Sequence, residues 1–183
     1  PLRLVGSEMC IRDSINTATS EADKLLTDAD ETLHRIKVDL KQADQKTTVS
    51  LLQRKIYNDF RFREAGIFNS EGLLTLTSLG VIDPPIRVSF TKSNFDPNNP
   101  NLQVLGSGRS QVMQERSVAL VLRGSEPIRG IYLLVDPVIF TYFLEVIPDA
   151  DLGSDGFIAI MTRDQRILNT ANASPQKVSE RLR

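Results

Sequence analysis

Residues Glu64 to Gly80 read E-A-G-I-F-N-S-E-G-L-L-T-L-T-S-L-G. Two apolar runs, Ala65 to Phe68 and Leu73 to Leu79, flank Asn69-Ser70-Glu71-Gly72. Asn and Gly accept the turn and positive-φ geometries that reverse a strand, so the stretch predicts a β-hairpin. In its second run Leu74 and Leu76 fall on one face and Thr75 and Thr77 on the other, the pattern of a half-buried antiparallel strand. One face of the resulting sheet is expected to look inward.

Upstream of the hairpin the apolar positions Ile15, Ala18, Ala22, Leu25, Ala29, Leu33, Ile36, Leu40 and Ala43 recur in steps of three and four. With no Gly or Pro between them, they predict one long helix over 15–43, about 45 Å in length, with a heptad-like seam. The small seam residues Ala18, Ala22 and Ala29 admit close approach, either by the chain's own sheet or by a second copy in a homodimer. His34, the single histidine, sits among charged residues on this helix and reads as a solvated side chain. A shorter helix follows, with Val49, Leu52, Ile56 and Phe60 as its apolar stripe and Thr47 or Thr48 as its cap.

Downstream, Asp83-Pro84-Pro85 is expected to break any strand, and Ile86 to Phe90 forms a short apolar alternation. Asn94 to Asn101, with Pro97 and Pro100, reads as a loop. Gly106-Ser107-Gly108-Arg109-Ser110 lacks the G-K-[ST] ending of a phosphate-binding loop and the spacing of a dinucleotide fingerprint, and reads as a turn. Ser117 to Arg123 and Ile128 to Val135 form a second hairpin about Gly124-Ser125-Glu126-Pro127. Asp136 and Pro137 then suit the N-cap and first turn of a helix whose Val138, Phe140, Phe143, Leu144 and Ile147 are mostly core. Gly156 to Thr162 and Arg166 to Thr170 make a third hairpin, and Ser174-Pro175 opens a helix that stops at Arg183. Asp149, Asp151 and Asp155 beside Gly156 suggest a calcium loop, but counting from Asp151 puts Gly153 at the third position and Thr162 at the twelfth, which supply no carboxylate.

Composition narrows the function classes. Hydrophobic residues make up 40% of the 183-residue chain and charged residues 25%, values ordinary for a globular domain. Lys and Arg number 22 against 23 Asp and Glu, so the charge footprint that nucleic-acid binding requires is missing. No apolar run approaches the roughly 18 to 20 residues that span a bilayer. One surface His and no paired nucleophile leave Ser-His and Cys-His catalysis and His/Cys metal sites unsupported, so neither catalysis nor a cofactor is expected. The fold expected is α+β: a long N-terminal helix and a second helix packed on an antiparallel sheet, which by itself points no further than a binding or sensing module.

Two resemblances sharpen this reading. Leu4 to Ser14, L-V-G-S-E-M-C-I-R-D-S, resembles the translation of a transposon-end sequencing adapter. Residues 1–14 are therefore expected to be a disordered artefact carrying the only cysteine, Cys10, ahead of a natural chain whose start is missing. The order of elements over Ile15 to Asn169, with a hairpin closing on T-S-L-G and a later V-A-L-V-L-R hairpin leading to Y-L-L-V-D-P, resembles the CSS-motif sensor domain of EAL-domain cyclic-di-GMP phosphodiesterases. That resemblance implies a periplasmic sensor domain over 15–173, membrane helices beyond both ends, residues 174–183 leading into one of them, and a catalytic domain elsewhere in the parent protein. It places Leu76-Thr77-Ser78 where the family has Cys-Ser-Ser and Thr47 near the family's other cysteine, so the family's redox-sensitive pair cannot form here. The alternative is a generic Cache or PAS-like ligand-sensing domain of a chemoreceptor or sensor kinase. In such domains a small ligand sits between the sheet and its cover, which here points to the irregular segment between Thr91 and Ser117. Arg109 in that segment, with Tyr132 and Asp136 at the strand beyond, is the expected binding set for a small anionic ligand. The plainer alternatives are a solvated Arg109, a Tyr132 ring in the core with its hydroxyl at the surface, and an Asp136 that only caps a helix.

Overall fold

The Glu64 hairpin forms as read, and it lies next to the centre of a larger sheet. In the computed structural model, which describes residues 2–88, 95–110, 112–142, 158–161 and 167–171, the element order is α1 (Leu2–Asp39), α2 (Gln45–Tyr57), β1 (Phe62–Asn69), β2 (Leu73–Thr77), β3 (Gly80–Arg87), β4 (Gln103–Arg109), β5 (Arg116–Arg123), β6 (Ile128–Val135), α3 (Val138–Thr141), β7 (Ile158–Met161) and β8 (Ile167–Ala171). A short 3-10 turn, Leu40–Gln42, separates the first two helices. The chain divides into two compact units, Thr27–Asp136 and Pro1–Leu26 with Pro137–Arg183. In the first, β1 to β6 form an antiparallel six-stranded sheet in the order β3-β2-β1-β6-β5-β4. In the second, β7 and β8 form the predicted last hairpin and α3 lies against β8.

Both faces of the large sheet are buried. On one, Phe68, Leu74, Ala119, Val121, Tyr132 and Leu134 join Val88, Phe95 and Leu105 in a single apolar cluster. On the other, Ala65, Ile67, Leu76, Val118, Leu120, Leu122, Ile131, Leu133 and Val135 are buried, and α2 lies against β1 and β2. Removing each such Leu, Ile or Phe side chain from water contributes roughly 1.5–3 kcal/mol. The α1 seam residues Ala29, Leu33 and Ile36 are 0% exposed in the single chain, so here the seam lies inside the chain's own fold.

Phe68 and Tyr132 hold the central strand pair by a reciprocal arrangement. Register places Gly66 of β1 opposite Tyr132 of β6, and Phe68 opposite Gly130. Each ring lies across the glycine facing it. A Cβ on Gly66 would come within 2.5 Å of the Tyr132 ring, and one on Gly130 within 2.2 Å of the Phe68 ring.

Several expectations need correction. Leu74 and Leu76 do not share a face: the register passes from Ile67↔Leu76 to Phe68↔Leu74, so Thr75 is an extra residue, a bulge that turns the two leucines to opposite sides. Asp83-Pro84-Pro85 does not end the strand but lies inside β3, an edge strand, in the irregular stretch where pairing with β2 passes from Leu76↔Val81 to Leu74↔Ile86 and no ladder donor is needed. The Gly106 to Arg109 stretch is strand as well, the register shift between Val104 and Ser107 marking a bulge that glycine tolerates. Asp44, rather than Thr47 or Thr48, caps α2, accepting the Thr47 N–H at 2.8 Å. Phe60 lies beyond that helix and is 93% exposed. Residues from Leu2 onward are helical where disorder was expected, as an extension of the helix nucleated by the seam downstream. Phe143, Leu144, Ile147, the acidic stretch at 149–156 and the helix from Ser174 lie outside the described residues.

The ring-over-glycine packing predicts that Gly66→Ala and Gly130→Ala each destabilise the fold by about 1–3 kcal/mol, since a methyl group must displace an aromatic ring. Gly108→Ala, whose Cβ would meet nothing within 4 Å, should stay within about 0.5 kcal/mol of the parent. Urea unfolding midpoints at unchanged m-value read the difference; equal midpoints for Gly66→Ala and Gly108→Ala would contradict the packing.

Candidate functional site

Crossing Gly66 brings the Tyr132 hydroxyl to Glu64, two residues along the same strand. Tyr132 donates a short hydrogen bond to Glu64 Oε1, and the Ser110 hydroxyl donates to Glu64 Oε2 at 3.2 Å. Glu64 is 1% exposed, and Tyr132 and Ser110 are buried with it. Three elements thus converge: β1 supplies the carboxyl, β6 the phenol, and the residue after β4 the hydroxyl. Burial pushes the Glu64 pKa up, and the two hydrogen bonds only partly offset that. Burial also drives the Tyr132 phenol well up, reinforced by the charge and hydrogen bond of Glu64.

Ser110 is held in turn by its own loop. Its Oγ accepts the N–H groups of Val112 and Met113 at 3.2 and 3.0 Å, and its backbone N–H reaches the Glu115 carbonyl at 2.8 Å. The tight turn carries Gln114 at φ 59. Beside it Arg63 forks between two carboxylates, Glu115 and Asp136. Arg63 is the bulged residue of β1, where the register to β6 shifts between Phe62 and Glu64. The bulge lets consecutive residues take opposite roles, with Arg63 on the rim and Glu64 in the core. Further out on the same face, Phe95 packs edge-on against Phe68 with centroids 5.4 Å apart. Gln103 pins that cover, accepting from Asp96 N and donating to Asp96 O, both at 2.8 Å.

The three residues expected to bind together do not form one set. Tyr132 lies in the site, but its hydroxyl is buried on Glu64 rather than at the surface. Asp136 stands at the rim paired with Arg63, and it is not a helix cap, because Pro137 is the N-cap of α3. Arg109 is solvent-exposed and separated from β6 by β5. Its partner across the ladder is Arg116, which alternates with the Ser117 side of β5, so Arg109 projects from the sheet face opposite Tyr132. Glu64, Ser110 and Arg63 were missed. Glu64 could have been found by parity, since it shares a strand face with Gly66 and Phe68. Leu76, Thr77 and Ser78 are all buried at the β2–β3 turn, where Ser78 Oγ accepts the Ala65 N–H at 3.2 Å and Ser78 N–H reaches the Ala65 carbonyl at 2.8 Å. No group of three or more metal-ligating side chains occurs among the described residues, and none of their helices is long and apolar enough to cross a membrane.

No protein-family model matches the sequence, and no curated protein matches it significantly. Solved structures do match in shape. The ligand-binding domain of the Campylobacter jejuni chemoreceptor Tlp3, in complex with L-norvaline, superposes with a TM-score of 0.61 at 8% identity, covering 94% of this chain and 72% of that one. The Tlp3 sensory domain with isoleucine bound gives 0.60 at 8% identity over 99% and 81%. The extracellular domain of the histidine kinase rpHK1S-Z16 gives 0.65 at 17% identity over 94% and 73%. At these identities the likeness is one of fold: helices with an antiparallel sheet, the α+β, Cache/PAS-like architecture of chemoreceptor and histidine-kinase sensor domains. The two Tlp3 structures are ligand-binding or sensory domains, and the third is an extracellular domain.

Two outcomes follow from the buried carboxyl. A raised folded pKa means that the protonated Glu64 is favoured in the fold, so its contribution is complete below the ordinary glutamate range and declines as pH rises from there through the raised value. Glu64→Gln should therefore gain stability relative to the parent as pH increases across that window, read by unfolding midpoints from pH 4 upward; parallel curves would contradict the burial. Tyr132→Phe removes a donor to the buried carboxyl and should cost about 1–3 kcal/mol at pH 7, measured in the same way.

Proposed function

We propose that this chain is an extracytoplasmic ligand-sensing domain of the Cache/PAS-like class, acting in a chemoreceptor or sensor kinase. The observation that carries the reading is the match of nearly the whole chain, in shape, to sensor domains of those two protein types. The narrower reading, a periplasmic sensor of a cyclic-di-GMP phosphodiesterase, rests on Leu76-Thr77-Ser78 standing where that family has its motif. Chemoreceptor and kinase neighbours favour the broader one.

The ligand-responsive region in this proposal is the sheet face that carries Tyr132, under the cover that Val88, Phe95 and Val112 give it. Tyr132 and Glu64 form its floor, and Arg63 with Asp136 its rim. Tlp3 binds norvaline, valine and isoleucine, so small aliphatic amino acids are the first solutes to try. Homodimer formation through the 15–43 helix has less behind it, because the seam side chains Ala29, Leu33 and Ile36 are already enclosed.

The test is a thermal-shift screen of the purified chain against the proteinogenic amino acids and common small organic acids, followed by calorimetry on any hit. A solute present at 100 times its Kd should stabilise the fold by about 2.7 kcal/mol. Tyr132→Phe should weaken that response. A complete screen without a shift would count against a sensing role, and a shift unchanged in Tyr132→Phe would move the site elsewhere.

A further inference from the structure

At the opposite end of the strands, where the β1–β2 and β5–β6 turns lie, the unit Thr27–Asp136 has an open cleft of about 540 Å³. That volume is in the range of small-molecule sites. Its charged lining is Lys37 of α1, Arg123 at the end of β5, Arg129 at the start of β6, and Glu126 in the turn between them. The hairpin is tight because residue 124 is glycine: its N–H meets the Arg129 carbonyl at 2.9 Å, and a Cβ there would lie 2.3 Å from the Ile128 carbonyl oxygen.

Arg129 is held ready for a ligand but not satisfied. Its Nη1 donates to the Ser70 carbonyl at 2.7 Å, which fixes the guanidinium, while its Nε is buried without a hydrogen-bond partner. A buried donor left unmade is rare in folded proteins and calls for an explanation, of which a water or ion drawn in beside the guanidinium is one. Lys37 and Arg123 also have no ion-pair partner among the described residues. Three cations against Glu126 leave the lining with two net positive charges.

We propose that this cleft binds a small dianion, with the Arg123 and Arg129 guanidinium forks taking its two anionic ends and Lys37 adding a point charge. Planar guanidinium groups suit carboxylate and phosphate oxygens, and the two-charge excess matches a dianion rather than a polyanion. The inference does not depend on the sensor reading, because the cleft is formed by residues that the Tyr132 face does not use.

The probes are succinate and inorganic phosphate at pH 7.5, with acetate and chloride at matched ionic strength, read by thermal shift and calorimetry on the full chain. A saturable response to succinate assigns a dicarboxylate, and one to phosphate assigns a phosphoryl ligand. Either response should weaken about tenfold or more in Arg129→Gln, and likewise in Arg123→Gln, whose exposed side chain makes it safe for folding. Tyr132→Phe should leave it intact. No response to either dianion would overturn the proposal, as would a response that acetate or chloride reproduces, or one that survives both arginine substitutions.

Discussion

The fold of the larger unit depends on how closely β1 and β6 approach across their side chains. Two bulky rings, Phe68 and Tyr132, occupy ladder positions whose partners have no Cβ. Each ring therefore lies flat over the neighbouring strand instead of standing up from its own. That places Phe68 where Phe95 can close against it, and it carries the Tyr132 hydroxyl sideways to Glu64. Glycine in a strand interior weakens it locally, yet here the absent side chains are replaced by aromatic surface from across the ladder. The apolar cluster, the cover and the buried polar group all follow from this one register.

Glu64 shows what the arrangement allows. A carboxyl group in the core needs hydrogen-bond partners, and Glu64 has two hydroxyls there rather than a cation. The nearest cation in sequence, Arg63, is turned outward by the bulge and holds Glu115 and Asp136 together instead. Arg63 ties the end of β1 to the β4–β5 turn and the end of β6. Glu64 ties the interior of the same three segments through Ser110 and Tyr132. Consecutive residues thus brace one corner of the sheet from outside and inside.

Much of this was legible in the chain, and what was not has a definite origin. Asn69 to Gly72 and Gly124 to Pro127 declared two hairpins through turn chemistry, and the three-and-four spacing from Ile15 declared the long helix. Features decided by neighbours stayed hidden. Pro84 and Pro85 read as breakers because a linear scan does not reveal that β3 is an edge. Thr75 and the Val104 to Ser107 stretch hid bulges, and each bulge reverses the facing of everything beyond it. That reversal is why Leu76 parted from Leu74, and Arg109 left the site assigned to it because the stretch read as a turn is strand, past a bulge that turns it to the other face. Glu64 was readable by parity alone, but a charged residue beside Arg63 passes for a surface pair.

The two prolines of β3 also bear on how the protein behaves in company. A sheet edge exposes a row of main-chain donors and acceptors to which another extended chain can add. At this edge the run Asp83-Pro84-Pro85 lies in the middle of the strand, where proline lacks the donor that the open side would otherwise offer and the strand itself is irregular. A would-be additional strand would find its hydrogen-bonding interrupted where it needs continuity. Such an interruption works against the addition of a further strand on that side and against edge-to-edge pairing between copies of the chain.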